Sequence, residues 1–124
     1  MLDGKRILVI EDDTFLSSLI KARLEKEGYF VTQAFDGEEG LQILKKEKPD
    51  AIILDLIMPK VSGFEVMEYL SINMDLVQIP VIVLSNLAQD SDIQKTKRLG
   101  AKEFFVKIRI SIDDLAARVK ELLA

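Results

Sequence analysis

Acidic residues stand at two separate points of the chain where a run of apolar residues ends. Glu11, Asp12 and Asp13 directly follow the apolar run RILVI. Asp55 is the last residue of the run AIILD, shortly before a proline. A carboxylate at the end of a buried strand loses hydration, which costs stability unless the group is paired or bound to a cation. These four side chains are therefore candidates for chemistry as well as for capping and solvation.

A hydroxyl and an ammonium group occupy the corresponding places in two later runs. Ser85 ends the run PVIVLS, and Lys107 follows the run EFFV. If the four runs are parallel strands, their carboxyl ends meet at one edge of the sheet, where ligands bind. Clustered carboxylates with a hydroxyl and an ammonium suit a hard divalent cation and a phosphoryl group. Since an aspartate is a recognised covalent nucleophile, the pattern predicts Mg²⁺-dependent phosphoryl transfer onto Asp55.

Apolar runs of strand length alternate with amphipathic helical patterns along the chain. We predict strands at 6–10, 29–34, 51–55, 80–85 and 103–106, and helical segments at 14–28, 36–48, 62–70, 90–100 and 111–124. This alternation predicts an α/β fold with a doubly wound, five-stranded parallel sheet and helices on both faces. The strands read as Val, Ile and Leu runs, as burial on both faces of a parallel sheet requires.

The composition favours one globular domain over residues 1–124. The chain is 48% hydrophobic and 31% charged, with a formal net charge of −4. This charge argues against sequence-independent binding of nucleic acid, which needs a surplus of basic residues. The absence of cysteine and histidine excludes disulfides, thiol chemistry and a histidine-based active site. No apolar run approaches the length of a membrane span, and we expect a cytoplasmic protein.

The motifs ILVIEDD, IILDLIMPKVSGFE, PVIVLSN and AKEFFVK stand in this order along the chain. Together they resemble the receiver domain of two-component response regulators, and the resemblance covers essentially the whole chain. It implies the flavodoxin-like strand order 2-1-3-4-5. It also implies a switch that takes a phosphoryl group from a sensor histidine kinase or a histidine phosphotransfer protein and then binds a downstream protein target differently. Such a regulator catalyses only its own phosphorylation and dephosphorylation.

The resemblance assigns the acidic residues to one metal-dependent site. Asp55 would be the phospho-accepting aspartate, and the cofactor would be Mg²⁺, with Mn²⁺ as an alternative. Asp12 would bind the metal directly, Glu11 chiefly through water, and the backbone carbonyl of Ile57 would be a further ligand. Asp13 is an alternative in the neighbouring register, and otherwise caps the first helix.

The resemblance also assigns the switch. Ser85 matches the switch Ser/Thr and Lys107 the lysine that contacts the phosphoryl group. Phe104 matches the switch aromatic, which in the family rotates when phosphorylation draws the hydroxyl inward. Pro59 and Gly63 match the turn that shapes the loop after the third strand.

One position departs from the family pattern. The family usually has a proline after the lysine, often with a cis bond, whereas Ile108 follows Lys107 here. A cis bond before a residue other than proline costs about 2.5–4 kcal/mol, so we expect a trans bond. Lys107 is then aimed by a different loop. This motivates an alternative function, a receiver-like module that binds a partner without being phosphorylated.

Two further expectations concern the surroundings of the site. Ile57 and Leu87 are apolar, which in this family accompanies slow loss of the phosphoryl group. The fourth helix has Ile93 as its only large apolar residue between Gln89 and Arg98. We expect this helix to be loosely held and to repack on phosphorylation. Its flank is basic through Lys95, Lys97, Arg98 and Lys102.

The remaining expectations concern partners and competing activities. We expect no direct contact with nucleic acid or membrane, and a monomer or a phosphorylation-linked dimer, either stand-alone or part of a longer regulator. A flavodoxin is disfavoured because EDDT after the first strand repels phosphate. An aspartate-dependent phosphatase is disfavoured because Ile57 stands where its second aspartate is needed.

Overall fold

The computed structural model describes residues 4–124, so the first three residues of the predicted 1–124 domain lie outside the described residues. The strands are β1 Arg6–Ile10, β2 Phe30–Ala34, β3 Ala51–Leu54, β4 Val81–Ser85 and β5 Glu103–Val106. The helices are α1 Thr14–Lys26, α2 Gly37–Leu44, α3 Gly63–Ser71, α4 Asp90–Arg98 and α5 Ile112–Leu123, with a 3₁₀ turn at Lys107–Arg109 before α5. None of the helices within 4–124 has the length and hydropathy needed to cross a membrane.

The five strands form one parallel sheet in the order β2-β1-β3-β4-β5. Both the fold class and the strand order are as predicted. The strand order reverses between β1 and β3, which are neighbours in the sheet. In open parallel sheets this reversal leaves a crevice at the carboxyl ends of the strands.

The core consists of one apolar layer on each face of the sheet. Leu8 and Ile10 of β1 pack into a layer covered by α2 and α3. Ile7 and Val9, which alternate with them, pack into a layer covered by α1 and α5. This division follows from strand geometry, because successive side chains point to opposite faces. Helices therefore lie on both faces, as predicted.

Burial on both faces holds for the three central strands only. β3 and β4 are buried throughout, and so is β1 beyond its first residue. The edge strands β2 and β5 are partly exposed. The sequence of β2 contains the polar residues Thr32 and Gln33, so this strand is not a continuous apolar segment.

Three helices end two or more residues before the predicted boundary. α1 ends at Lys26 and α4 at Arg98, two residues before the glycines that close their turns. α2 ends at Leu44, four residues earlier than predicted. The four residues that follow, from Lys45 to Lys48, are charged and exposed, so they contribute no apolar side chain that would hold a further turn on the sheet.

The predicted capping of α2 is present. The Asp36 carboxylate accepts a hydrogen bond from the backbone N–H of Glu39 at 2.8 Å. The Glu39 carboxylate in turn accepts from the backbone N–H of Phe35 at 2.6 Å. The pair therefore satisfies donors on both sides of the helix start, although the second bond reaches one residue further back than in the standard box.

α4 is held by few buried side chains. Thr96 is its one buried residue, and Ile93 is only partly buried. The ammonium group of Lys95 lies 4.7 Å from the centre of the Phe64 ring of α3, in a cation–π contact. This sparse packing fits the expected loose attachment, and the repacking of the helix on phosphorylation stays a prediction.

Candidate functional site

Polar groups from four strands gather at the carboxyl edge of the sheet. Glu11 follows β1 directly, and Asp55 follows β3 rather than ending it, because the strand stops at Leu54. Ser85 is the last residue of β4, and Lys107 comes directly after β5. Glu11 is 2% exposed, Asp55 4% and Ser85 1%. Charged and polar groups buried to this degree are expected to have partners.

Lys107 is the partner of both buried carboxylates. Its ammonium nitrogen lies 2.9 Å from Oδ2 of Asp55 and 2.8 Å from Oε1 of Glu11. The lysine side chain is itself only 17% exposed. Ile108 in place of proline therefore does not direct the lysine away from the site, and the Lys107–Ile108 bond is trans, as predicted.

The burial of Glu11 changes the pKa of its carboxyl group. Burial raises its pKa to about 7, and the negative charge of Asp55 adds to the rise. Hydrogen bonds from the Lys107 ammonium and from the backbone N–H of Asp13 oppose the rise. For Lys107, burial alone would lower the pKa, but hydrogen bonds to Asp55 and Glu11 outweigh it and the pKa is raised.

The acidic residues are placed as a divalent metal ion requires. Carboxylate oxygens of Glu11, Asp12 and Asp55 lie within 4.8 Å of one another. Oε1 of Glu11 is buried and accepts no hydrogen bond of good geometry from a described residue, although the ammonium of Lys107 is close. Two buried carboxylates and an exposed third fit the oxygen ligands that Mg²⁺ prefers.

Asp13 does not join this cluster. Its carboxylate accepts a hydrogen bond from the backbone N–H of Leu16 at 3.1 Å, as the N-cap of α1. The residue thus satisfies one of the free donors at the helix start. This contact favours Asp12 over the alternative register in which Asp13 would face a metal.

The backbone after Asp55 fixes its carboxylate. Oδ1 accepts a hydrogen bond from the N–H of Leu56 at 2.7 Å, while Oδ2 faces Lys107. The side chain of Ile57 is 60% exposed at the rim of this loop. The slow loss of the phosphoryl group expected from Ile57 and Leu87 stays a prediction.

Gly63, the first residue of α3, packs directly against the backbone of Asp55. A Cβ at this position would lie 2.1 Å from the carbonyl oxygen of Asp55 and 2.7 Å from Cα of Leu56. The N–H of Gly63 also donates to the carbonyl of Leu56 at 2.9 Å. Only glycine permits this approach, so the start of α3 and the Asp55 backbone are fixed together.

Gly63→Ala should therefore lower the free energy of unfolding by about 2 kcal/mol, since the methyl group must displace backbone atoms. The measurement is urea denaturation of both proteins. Gly40→Ala is a matched control, because its Cβ would meet mainly the terminal methyl group of Ile10, which can move. Equal losses for the two variants would contradict the contact with Asp55.

The predicted switch residues lie on neighbouring strands. The hydroxyl of Ser85 accepts a hydrogen bond from the backbone N–H of Leu87 at 3.1 Å, so it is held by its own loop. Phe104 pairs with Val83 across β4 and β5, is partly buried, and packs against the layer covered by α2 and α3. Their exchange of positions during signalling stays a prediction.

Asn86 was not among the predicted site residues. Its side-chain oxygen Oδ1 accepts a hydrogen bond from the backbone N–H of Ile108 at 3.1 Å. A proline at the position of Ile108 has no N–H to donate. The sequence signal for this contact was the isoleucine in place of proline after Lys107, because Ile108 has a backbone N–H that needs an acceptor.

Comparison with known proteins identifies the fold family. The sequence model of the response regulator receiver domain matches residues 7–120. The chain belongs to this family. Receiver domains are phospho-accepting regulators of two-component signalling rather than classical enzymes, and they bind Mg²⁺ through acidic residues. The resemblance inferred from the four motifs is thus confirmed.

Individual relatives of the receiver agree with this assignment. It is 39% identical to RpaA of Synechocystis sp., a DNA-binding dual master transcriptional regulator, over 95% of this chain and 48% of RpaA. A CheY-like receiver domain protein of Methanospirillum hungatei superposes with a TM-score of 0.90 at 28% identity, covering 98% and 94% of the two chains. The Mn(2+)-bound form of response regulator Rcp1 superposes with a TM-score of 0.83 at 28% identity, covering 96% and 91%. The receiver spans about half the length of RpaA and of several other curated relatives.

Proposed function

We propose that this receiver is a phosphorylation-dependent switch in which Asp55 accepts a phosphoryl group. The observation that carries the proposal is the convergence of Lys107 on two buried carboxylates, with Asp12 beside them. A purely structural pair would need one acid and one base. A divalent cation bound beside these carboxylates would offset the surplus of negative charge.

In the proposed reaction, one carboxylate oxygen of Asp55 attacks the phosphorus atom of the donor. The new oxygen–phosphorus bond forms as the bond from phosphorus to the leaving group breaks. The leaving group is a histidine nitrogen in a kinase or phosphotransfer protein, or acetate in acetyl phosphate, and it takes the bonding electrons. Asp55 needs no general base, since the carboxylate carries no proton to remove.

The other residues position the phosphoryl group and stabilise its charge. Glu11, Asp12, Asp55 and the carbonyl of Ile57 would hold Mg²⁺, or Mn²⁺ in its place. When bound, this ion neutralises charge on the phosphoryl oxygens. Lys107 is already 2.9 Å from Asp55 and would contact a second oxygen.

Ser85 would transmit the change. Its hydroxyl would donate to a phosphoryl oxygen, which requires it to give up its present hydrogen bond with the N–H of Leu87. Phe104 is next to β4 and would follow this movement. The surface formed by α4, β5 and α5 would then bind a downstream protein differently.

A partner-binding module that is never phosphorylated is the alternative. It was motivated by Ile108, but Lys107 still reaches both carboxylates. We therefore favour the switch. Residues 1–124 would form one receiver domain acting in the cytoplasm as a monomer or a phosphorylation-linked dimer, without contacting nucleic acid or membrane itself.

Incubation of the purified protein with acetyl phosphate and Mg²⁺ tests the switch directly. We expect a retarded band on a Phos-tag gel that appears only with the divalent ion and is lost when EDTA is present from the start. Mn²⁺ should replace Mg²⁺. A protein that stays unlabelled with either ion, while remaining folded by circular dichroism, would favour the partner-binding module.

A further inference from the structure

Asn86 links the loop after β4 to the turn that carries Lys107. Its Oδ1 atom accepts the backbone N–H of Ile108 at 3.1 Å, across 22 residues of sequence. We propose that Asn86 is a positioning residue for Lys107, and that its side-chain amide fixes the turn through which the ammonium reaches Asp55. This inference rests on the proposed function of Lys107.

The backbone of Lys107 is held on both sides by consecutive residues of one segment. On its N-terminal side, Val106 is the last residue of β5 and pairs with Ser85. On its C-terminal side, the N–H of Ile108 is held by Asn86. Ser85 and Asn86 are adjacent in the sequence. The residues before and after Lys107 are therefore both held by this one segment.

The chemistry of Asn86 suits this contact. The donor is the backbone N–H of the second residue of the 3₁₀ turn that follows β5, so it has no partner in the sheet. An amide side chain offers an acceptor oxygen without adding negative charge beside the carboxylates. An aspartate there would supply the oxygen but would repel a phosphoryl group.

The bond matters because the turn has little other support. Within the 3₁₀ turn Lys107–Arg109 no residue is buried, and the side chain of Ile108 is 80% exposed. The turn therefore gains little from apolar packing. Without the bond, the backbone after Lys107 can adopt other conformations. A small rotation of the backbone at Lys107 moves the ammonium group at the end of its long side chain by a larger distance.

A double-mutant cycle isolates the contact. We expect Asn86→Ala to slow labelling by acetyl phosphate about three- to tenfold, the range for loss of one hydrogen bond. In an Ile108→Pro background, where the donor is already absent, Asn86→Ala should change the rate by less than about twofold. Equal slowing in both backgrounds, or no slowing in the unmodified one, would overturn the proposal.

Gln89→Ala is the matched control. Gln89 is an exposed amide in the same loop, and it makes no capping hydrogen bond from its side chain. Its replacement should leave the labelling rate unchanged. Slowing as large as that of Asn86→Ala would mean that the loop, rather than the Asn86 bond, sets the rate.

A second measurement does not depend on phosphorylation. In the NMR spectrum of the protein without phosphate, Asn86→Ala should speed hydrogen exchange of the Ile108 amide and broaden the ¹⁵Nζ ammonium signal of Lys107. An unchanged Lys107 signal would count against positioning even if labelling slowed. If the unmodified protein takes no label, the proposed function fails, while the spectrum still decides whether Asn86 holds Lys107.

Discussion

Asp55→Asn should leave the receiver folded and unable to accept a phosphoryl group. The amide is a poor nucleophile, and the Asp55 carboxylate that it replaces accepts the backbone N–H of Leu56 and lies 2.9 Å from the ammonium of Lys107. We expect the retarded Phos-tag band to fall to background with acetyl phosphate and with any competent kinase. This is the largest effect predicted, because it removes the bond-forming atom itself.

The fold should tolerate this substitution. Asparagine keeps an oxygen that can accept the N–H of Leu56, so the loop after β3 retains its hydrogen bond. The variant also has one fewer carboxylate in a crowded site, which offsets the lost ion pair with Lys107. Undiminished labelling of a folded Asp55→Asn protein would show that another residue is the acceptor.

Asp12→Asn should weaken the binding of Mg²⁺ or Mn²⁺ at least about tenfold, since loss of even the outer partners of metal ligands costs about 10–100-fold. Asp12 is exposed at the open side of the cluster, with its carboxylate close to those of Glu11 and Asp55. Manganese binding followed by electron paramagnetic resonance measures the change. Thermal stability without metal should rise slightly, because one of three repelling charges is gone.

Asp13→Asn is the matched control for this prediction. The two aspartates are adjacent, but Asp13 caps α1 and asparagine caps a helix about as well. The variant should bind the metal like the unmodified protein. The reverse outcome, with affinity lost in Asp13→Asn and kept in Asp12→Asn, would mean that the acidic pair has the other register.

The sequence was sufficient to place the reacting groups because the strand ends were readable and the family resemblance implied the strand order. The apolar run before Asp55 and the acidic residues after RILVI placed both at the carboxyl edge of the sheet. The end of α2 was wrong because charged residues after Leu44 are compatible with helix in isolation. The helix ends at Leu44 because the residues after it make no apolar contacts with the sheet.

The atoms that make two contacts at the site could not be assigned from the sequence. The IMPKVSG stretch indicated a turn, but not that α3 begins against the carbonyl of Asp55. The Asn86–Ile108 hydrogen bond joins loops 22 residues apart, and its existence depends on distances that no spacing rule supplies. The first is a close approach of backbone atoms and the second joins a side-chain oxygen to a distant backbone N–H, and patterns of residue type encode neither distance.

The close approach of Gly63 to Asp55 restricts where the molecule can change shape. The attacking carboxylate cannot shift its main chain without moving an entire helix that is anchored in the core. The Ser85 hydroxyl at the end of β4 and the Lys107 ammonium after β5 lie on the other side of that carboxylate, toward the edge of the sheet. We therefore expect a change at the aspartate to pass through Ser85 and Lys107 toward β5, while the main chain that joins β3 to α3 keeps its position.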